Sequence, residues 1–147
     1  MTDTAPAPAH LPHASATSTG AGTFQSRLAI GGRENEDDIL ADEPVALGGL
    51  GTGPTPYDLL CAALATCTTM TLRFYAGRKG WEIGEVQTHV RHARAAGQTP
   101  PDQFDRVITL DPTLDPAIRA ELLAIANRCP VHKTLTQGAT VSTALAD

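Results

Sequence analysis

The chain has no basic excess. Its 11 Lys and Arg stand against 16 Asp and Glu, for a net charge of −5. That balance argues against nucleic acid or an anionic membrane as the main partner. It has no run of about 18 purely apolar residues, the length that a membrane span asks for. Its first residues carry an acid and prolines rather than a basic start and an apolar block, so no secretory signal is expected and the expected compartment is the cytoplasm. Cysteine is scarce, with three in 147 residues. In a reducing compartment such thiols are expected to be free, catalytic or metal-bound rather than structural disulfides. No internal repeat is evident. The glycine-rich stretch 45–54, VALGGLGTGP, has neither a GxGxxG order nor a GK[ST] ending, so it reads as a flexible approach to the next element rather than a phosphate cradle. What is present suits one domain: 41% hydrophobic residues, enough for a buried core.

The organising stretch is 55–79, TPYDLLCAALATCTTMTLRFYAGRK. Thr55 suits an N-cap, Pro56 the first helical position, and Asp58 the acid of a capping box. Arg78 and Lys79 fall in the last turn, and Gly80 lies just past it. Both ends therefore predict helix ends, roughly 37 Å apart at about 1.5 Å per residue. The helix is apolar on more than one face, which predicts burial on several sides. Asp58, Arg73 and a series of threonines argue against a membrane span.

Residues 1–20 are mostly Ala, Pro, Ser, Thr, His and Gly and are expected to form a flexible tail, with 21–147 as the folded domain. His10 and His13 in that tail are expected to be solvated rather than metal-bound. Residues 23–30 and 39–41 predict strands, separated by a polar turn. Residues 86–95 alternate as a strand with one wet face, and 104–110 return after a Gly/Pro loop. Asp115-Pro116 starts a second helix ending near Asn127, and a short helical stretch is expected over 130–136. The β-branched run 140–145 reads as a last strand. The fold class is α+β with a largely antiparallel sheet.

The cysteines carry the chemistry. Cys61 and Cys67 lie six residues apart on the helix, about 600° of rotation, so they face different ways and cannot pair. Cys61, among Leu60, Ala62 and Ala63, reads as a small core residue. Cys67, in ATCTTM, reads either as a buried small residue or as a reactive thiol. Cys129 precedes Pro130 at a helix start, with Arg128 and Lys133 nearby, and local logic makes it the more acidic thiol. Cys129 and His132 also form a Cys-x-x-His, so a zinc site with Cys67 and either His89 or His92 is an alternative. A papain-like Cys–His pair is another, without an oxyanion or elbow signature.

GPTPYDLLCAALATCTTMTLRFYAGRKGW followed by RCPVHKTL resembles the OsmC/Ohr family. Ala41-Asp42-Glu43-Pro44 with Gly48-Gly49 resembles the branch also found fused behind α/β-hydrolase domains. The resemblance implies an OsmC-like fold, with mostly antiparallel curved sheets around a long central helix, in an intertwined homodimer. It implies a thiol peroxidase for organic hydroperoxides: Cys67 attacks and becomes a sulfenic acid, Cys129 resolves it to a disulfide, and an external dithiol resets the pair without a bound cofactor. It also implies a glutamate ten residues before Cys67, where this chain has Tyr57 beside Asp58. An arginine from the N-terminal region is implied at the thiolate. Arg27, which alternates with apolar neighbours, is chosen over Arg33, which lies in a polar turn. Other readings are a non-catalytic ligand-binding or redox-sensing module, or the Cys/His metal site.

Overall fold

The computed structural model describes residues 11–31 and 39–147. His10 and Arg33 lie outside them. The chain divides into two compact units, 1–56 and 57–147, and each is described by itself.

The first unit holds a three-stranded antiparallel sheet in the order β1-β2-β3, with β1 at Ala14–Ser18, β2 at Ser26–Ile30 and β3 at Ile39–Ala41. The strand β1 corrects the expectation of a flexible tail through residue 20. Its sequence ASATS has no large apolar side chain, and all five residues are exposed. It is held by its ladder to β2, from Ala14↔Ile30 to Ser18↔Ser26. Backbone pairing of this kind leaves no hydrophobic pattern to read.

After β3 the glycine stretch is a built loop rather than a flexible approach. The Asp42 carboxylate is buried and accepts from the backbone N–H groups of Glu43 (2.8 Å), Leu50 (3.2 Å) and Thr52 (3.3 Å), and from Thr52 Oγ1 (2.7 Å). A short 3₁₀ turn, Val45–Leu47, sits inside the loop. Gly49 passes so close to the chain that a Cβ there would stand 1.9 Å from the Glu43 carbonyl oxygen. The loop amides thus bind a side chain of the protein itself.

The second unit contains α1 at Pro56–Lys79, the antiparallel hairpin of β4 at Gln87–Arg94 and β5 at Asp102–Thr109, α2 at Pro116–Ala126, and α3 at Pro130–Gln137. The C-terminus of α1 closes as the sequence predicts. Gly80, at φ 71°, donates to Gly77 O, and Trp81 donates to Ala76 O, the paired bonds of a Schellman motif. Asp115 caps α2 by accepting from the Ala117 N–H at 2.7 Å, with Pro116 at the first position. The core joins Leu72 and Ala76 of α1, Ile83, and Leu122, Ile125 and Ala126 of α2, with Trp81, Val86 and Ile108 packed around them. Burial of these side chains is the main stabilising term of the unit.

Two expectations fail here. No strand forms over 140–145, where Val141 is 86% and Leu145 99% exposed. These β-branched residues meet neither an apolar face nor a strand edge among the described residues. Nor is α1 buried on several sides. Only Leu64, Thr68, Leu72 and Ala76 are buried, a single stripe at four-residue spacing, while Met70 and Phe74 are 65% and 67% exposed. By length and composition alone α1 could cross a membrane, with a window of mean hydropathy 1.3. A core helix passes the same test, and the buried stripe of α1 packs on a protein core.

Candidate active site

Two segments bring thiols together. The buried face of α1 points Thr68 inward and leaves Cys67 partly buried beside it. The turn between α2 and α3 presents Cys129, which is fully buried and is the N-cap residue of α3, with Pro130 at the first helical position. The turn is tied down by hydrogen bonds from Arg128 N to Ile125 O (2.9 Å) and from Cys129 N to Ala126 O (3.3 Å).

The thiols of Cys67 and Cys129 are near enough for each to shift the other's pKa. Burial pushes the Cys67 thiol up, and the neighbouring Cys129 raises it further. The Val131 N–H and the Thr71 hydroxyl offset this only in part. Burial acts upward on Cys129 as well. There it is outweighed by the hydrogen bond from Cys67, the N–H groups of His132 and Val131, and the Thr68 hydroxyl, so the Cys129 thiol is held below its ordinary range. The protonated thiol makes no capping hydrogen bond, but those first amides of α3 stabilise a negative sulfur. Both directions agree with the local reading of Cys129 as the more acidic thiol. The site thus sets two thiols near each other, the inner one shifted toward the thiolate and the outer one partly accessible.

Sequence reasoning missed Arg106. The strand β5 alternates inward and outward, so Phe104, Arg106 and Ile108 share the inner face. Arg106 Nη1 donates to Thr68 Oγ1 (3.0 Å), and its Nη2 donates to Asn127 Oδ1 (3.0 Å). The Thr68 hydroxyl donates to Leu64 O at 2.7 Å. Burial and the Arg106 charge together hold His132 below its ordinary range, which favours the neutral imidazole. A cavity of about 280 Å³ is lined by Leu64, Phe104 and Leu135 on its apolar side and by Asp102, Arg106 and His132 on its polar side. The available signal was a charged residue at an inward position of an alternating strand.

Other candidates fall elsewhere. Tyr57 stacks on the His92 ring at 4.2 Å, and His92 Nε2 lies 2.9 Å from Asp102 Oδ1. His89 is exposed, and His13 contacts its own Leu11 O at 3.0 Å. Among the described residues no three His, Cys, Asp or Glu side chains converge on a point that could hold a metal. Cys61 is partly buried, and burial together with the negative Asp58 pushes its thiol up. Arg27 lies mid-strand in β2, between Thr17 of β1 and Leu40 of β3, in the first unit, whereas Cys67 lies in the second.

Fold and site define a class: an α+β protein whose long helix sets a partly accessible thiol against a buried thiol at a helix start. Residues 49–144 match the family model for OsmC-like protein, and the chain belongs to that family. Solved structures share the fold at low identity. One is a putative osmotic stress induced and detoxification response protein from Psychrobacter arcticus 273-4 (24% identity, covering 82% of this chain and 85% of that one, TM-score 0.66). Another is an organic hydroperoxide resistance protein OsmC from Legionella pneumophila (17%, covering 85% and 88%, TM-score 0.63). A third is the organic hydroperoxide resistance protein OhrB of Bacillus subtilis (23%, covering 84% and 89%, TM-score 0.55). No curated protein matches the chain in sequence.

Proposed function

We propose that the protein is a cysteine-based peroxidase that reduces organic hydroperoxides. The observation that carries this reading is the pairing of a partly accessible thiol, Cys67, with a buried one, Cys129, near enough for each to shift the other's pKa. Access assigns the roles. The fully buried Cys129 is shielded from a substrate, so Cys67 attacks. Proton transfer from Cys67 to the Cys129 thiolate puts the negative charge on the outer sulfur. That thiolate attacks the terminal hydroperoxide oxygen. An S–O bond forms, the O–O bond breaks, and the leaving alkoxide takes up a proton to become the alcohol. Cys67 is now a sulfenic acid. The Cys129 thiol, protonated in the first step, attacks it: the S–S bond forms, the S–O bond breaks, and the Cys129 proton leaves with the sulfenic hydroxyl as water. An external dithiol restores both thiols by two exchange steps.

The fold likeness to the organic hydroperoxide resistance proteins of Legionella and Bacillus supports a hydroperoxide as the substrate. On the ADEP and Gly-Gly residues we place the chain in the branch also found fused to α/β-hydrolase domains. Arg27 is proposed as the cation that steadies the Cys67 thiolate. We further propose a homodimer. Its support is the uncovered apolar surface of α1, with Met70 and Phe74 exposed, together with exposed Val107 and Leu123. Free thiols and an external dithiol suit the cytoplasm, where we place the protein.

The test is consumption of cumene hydroperoxide with a dithiol reductant. Wild type turns over, and Cys67→Ser does not. Cys129→Ser accumulates a sulfenic acid on Cys67 that a dimedone-type reagent traps. Equal consumption by wild type and Cys67→Ser would end the reading.

A further inference from the structure

Arg106 is a half-buried cation at the site. Among the described residues, no ion pair includes Arg106. Its guanidinium donates to two neutral oxygens on different segments. Thr68 directly follows Cys67 on α1, and Asn127 stands two residues before Cys129, at the C-cap of α2. A planar guanidinium with donors in a fixed fork sets the spacing of the groups it holds, which a flexible ammonium does less well. Thr68 itself is fully buried, so its anchor is also fixed by packing.

We propose that Arg106 is a positioning residue whose guanidinium bridges the two cysteine-bearing segments and holds Cys67 and Cys129 within bonding reach of each other. This rests on the reading of Cys67 and Cys129 as a redox pair. The function of Arg106 is to raise the effective concentration of one sulfur at the other. Bringing reacting groups into the right geometry is worth orders of magnitude in rate, and a small misplacement removes much of it. The step affected is resolution, in which Cys129 displaces the sulfenic hydroxyl of Cys67, the Cys129 thiol proton leaves with it as water, and the disulfide forms. Arg106 acts through Thr68 and Asn127 and touches neither sulfur in that role.

The test measures how the oxidised protein partitions. Reduced protein is mixed with one equivalent of cumene hydroperoxide in the presence of a dimedone-type reagent, and trapped sulfenic acid and Cys67–Cys129 disulfide are counted by mass spectrometry. The ratio of trapped acid to disulfide is expected to rise about tenfold in Arg106→Gln and about threefold in Asn127→Ala. Arg106→Lys, which keeps the charge and reaches one anchor, is expected to return part of the way. A purely structural role would lower stability without moving this ratio in the folded protein. The same ratio in wild type, Arg106→Gln and Asn127→Ala overturns the proposal. Should Arg106→Gln fail to fold, Asn127→Ala decides it, because Asn127 is exposed and its loss removes one anchor only.

A second measurement separates this proposal from the peroxidase reading. In glutathione redox buffers one oxidised glutathione converts the two thiols to the disulfide and yields two reduced glutathiones, with no hydroperoxide involved. If wild type neither consumes cumene hydroperoxide nor forms a sulfenic acid, the peroxidase reading fails. The effective concentration of the Cys67–Cys129 pair is still measured. A fall of about tenfold in Arg106→Gln, or about threefold in Asn127→Ala, supports the bridge, and no fall in either overturns it.

Discussion

Among the described residues, Asp42 and the Cys67–Cys129 pair both shelter negative charge from water, and they do it in opposite ways. Around Asp42 every donor is fixed: three backbone amides and the Thr52 hydroxyl all point at one carboxylate. The Thr52 hydroxyl leads in holding that carboxyl below its ordinary value, against the opposing effect of burial. Such an anion has no competing site and organises the loop 42–54. At the thiols the charge is shared. Donors favour it on Cys129, yet one of those donors is the thiol of Cys67, an equally simple sulfur that can exchange the proton. A charge with a single well-satisfied home builds structure, whereas a charge that can move between two adjacent sulfurs supports chemistry.

The sharpest way to break that comparison is to exchange the consequences of the two losses. Cys67→Ser is expected to lower hydroperoxide consumption by at least about a hundredfold, since an alcohol is a far poorer nucleophile than a thiolate near neutral pH. Its melting temperature is expected to stay near that of wild type, because the substitution is nearly isosteric. Asp42→Ala is expected to do the reverse to stability, lowering Tm by about 10 °C through the loss of its donors' shared acceptor. A Tm unchanged in Asp42→Ala would remove the structural role assigned to the loop.

The carboxylate also gives the contrast a pH signature. Its pKa in the folded chain is below the ordinary value of 3.8. The stabilisation it provides is therefore fully present above that value and is lost as pH falls through the lower folded value. Acid melting of wild type should show this loss below about pH 4, and Asp42→Asn should lack that component. Gly49→Ala probes the same loop sterically. A Cβ at 1.9 Å from the Glu43 carbonyl oxygen forces the backbone apart, with an expected cost of about 1–3 kcal/mol by denaturant titration.

The two regions were also unequally legible in the sequence. The helix α1 announced both its ends through Pro56, Asp58, Arg78, Lys79 and Gly80, since caps and dipole preferences are local. The start of α3 at Pro130 was legible for the same reason, and with it the downward pull of the helix start on the Cys129 thiol. The loop was not, because the role of Asp42 depends on amides eight and ten residues away, and glycines that permit a close approach look the same as glycines that permit motion. The strand β1 escaped because a ladder bond carries no side-chain pattern. Arg106 escaped because it lies 38 residues beyond Thr68, and no local pattern links the two. The exposed face of α1 was read as buried because composition shows that a face is apolar but not what covers it.

The smallest predicted effect tests whether the two sulfurs share one charge. The Cys67 thiol is raised first by burial and then by Cys129, whose hydrogen bond and charge both oppose a second thiolate. Removing that neighbour in Cys129→Ala should move the Cys67 pKa down, and burial should keep it above its ordinary value. The reciprocal change has the opposite sign. Cys129 is lowered in part by the hydrogen bond from Cys67, so Cys67→Ala should move the Cys129 pKa up, with the amides of His132 and Val131 and the Thr68 hydroxyl still acting downward. The pH dependence of the iodoacetamide alkylation rate reads each single-cysteine site, with Cys61 replaced by Ser in both backgrounds. Shifts of opposite sign mean that the thiols titrate as a pair. Two shifts in the same direction, or none, would mean that each thiol is set by its own surroundings, and the proton exchange that places charge on Cys67 would lose its basis.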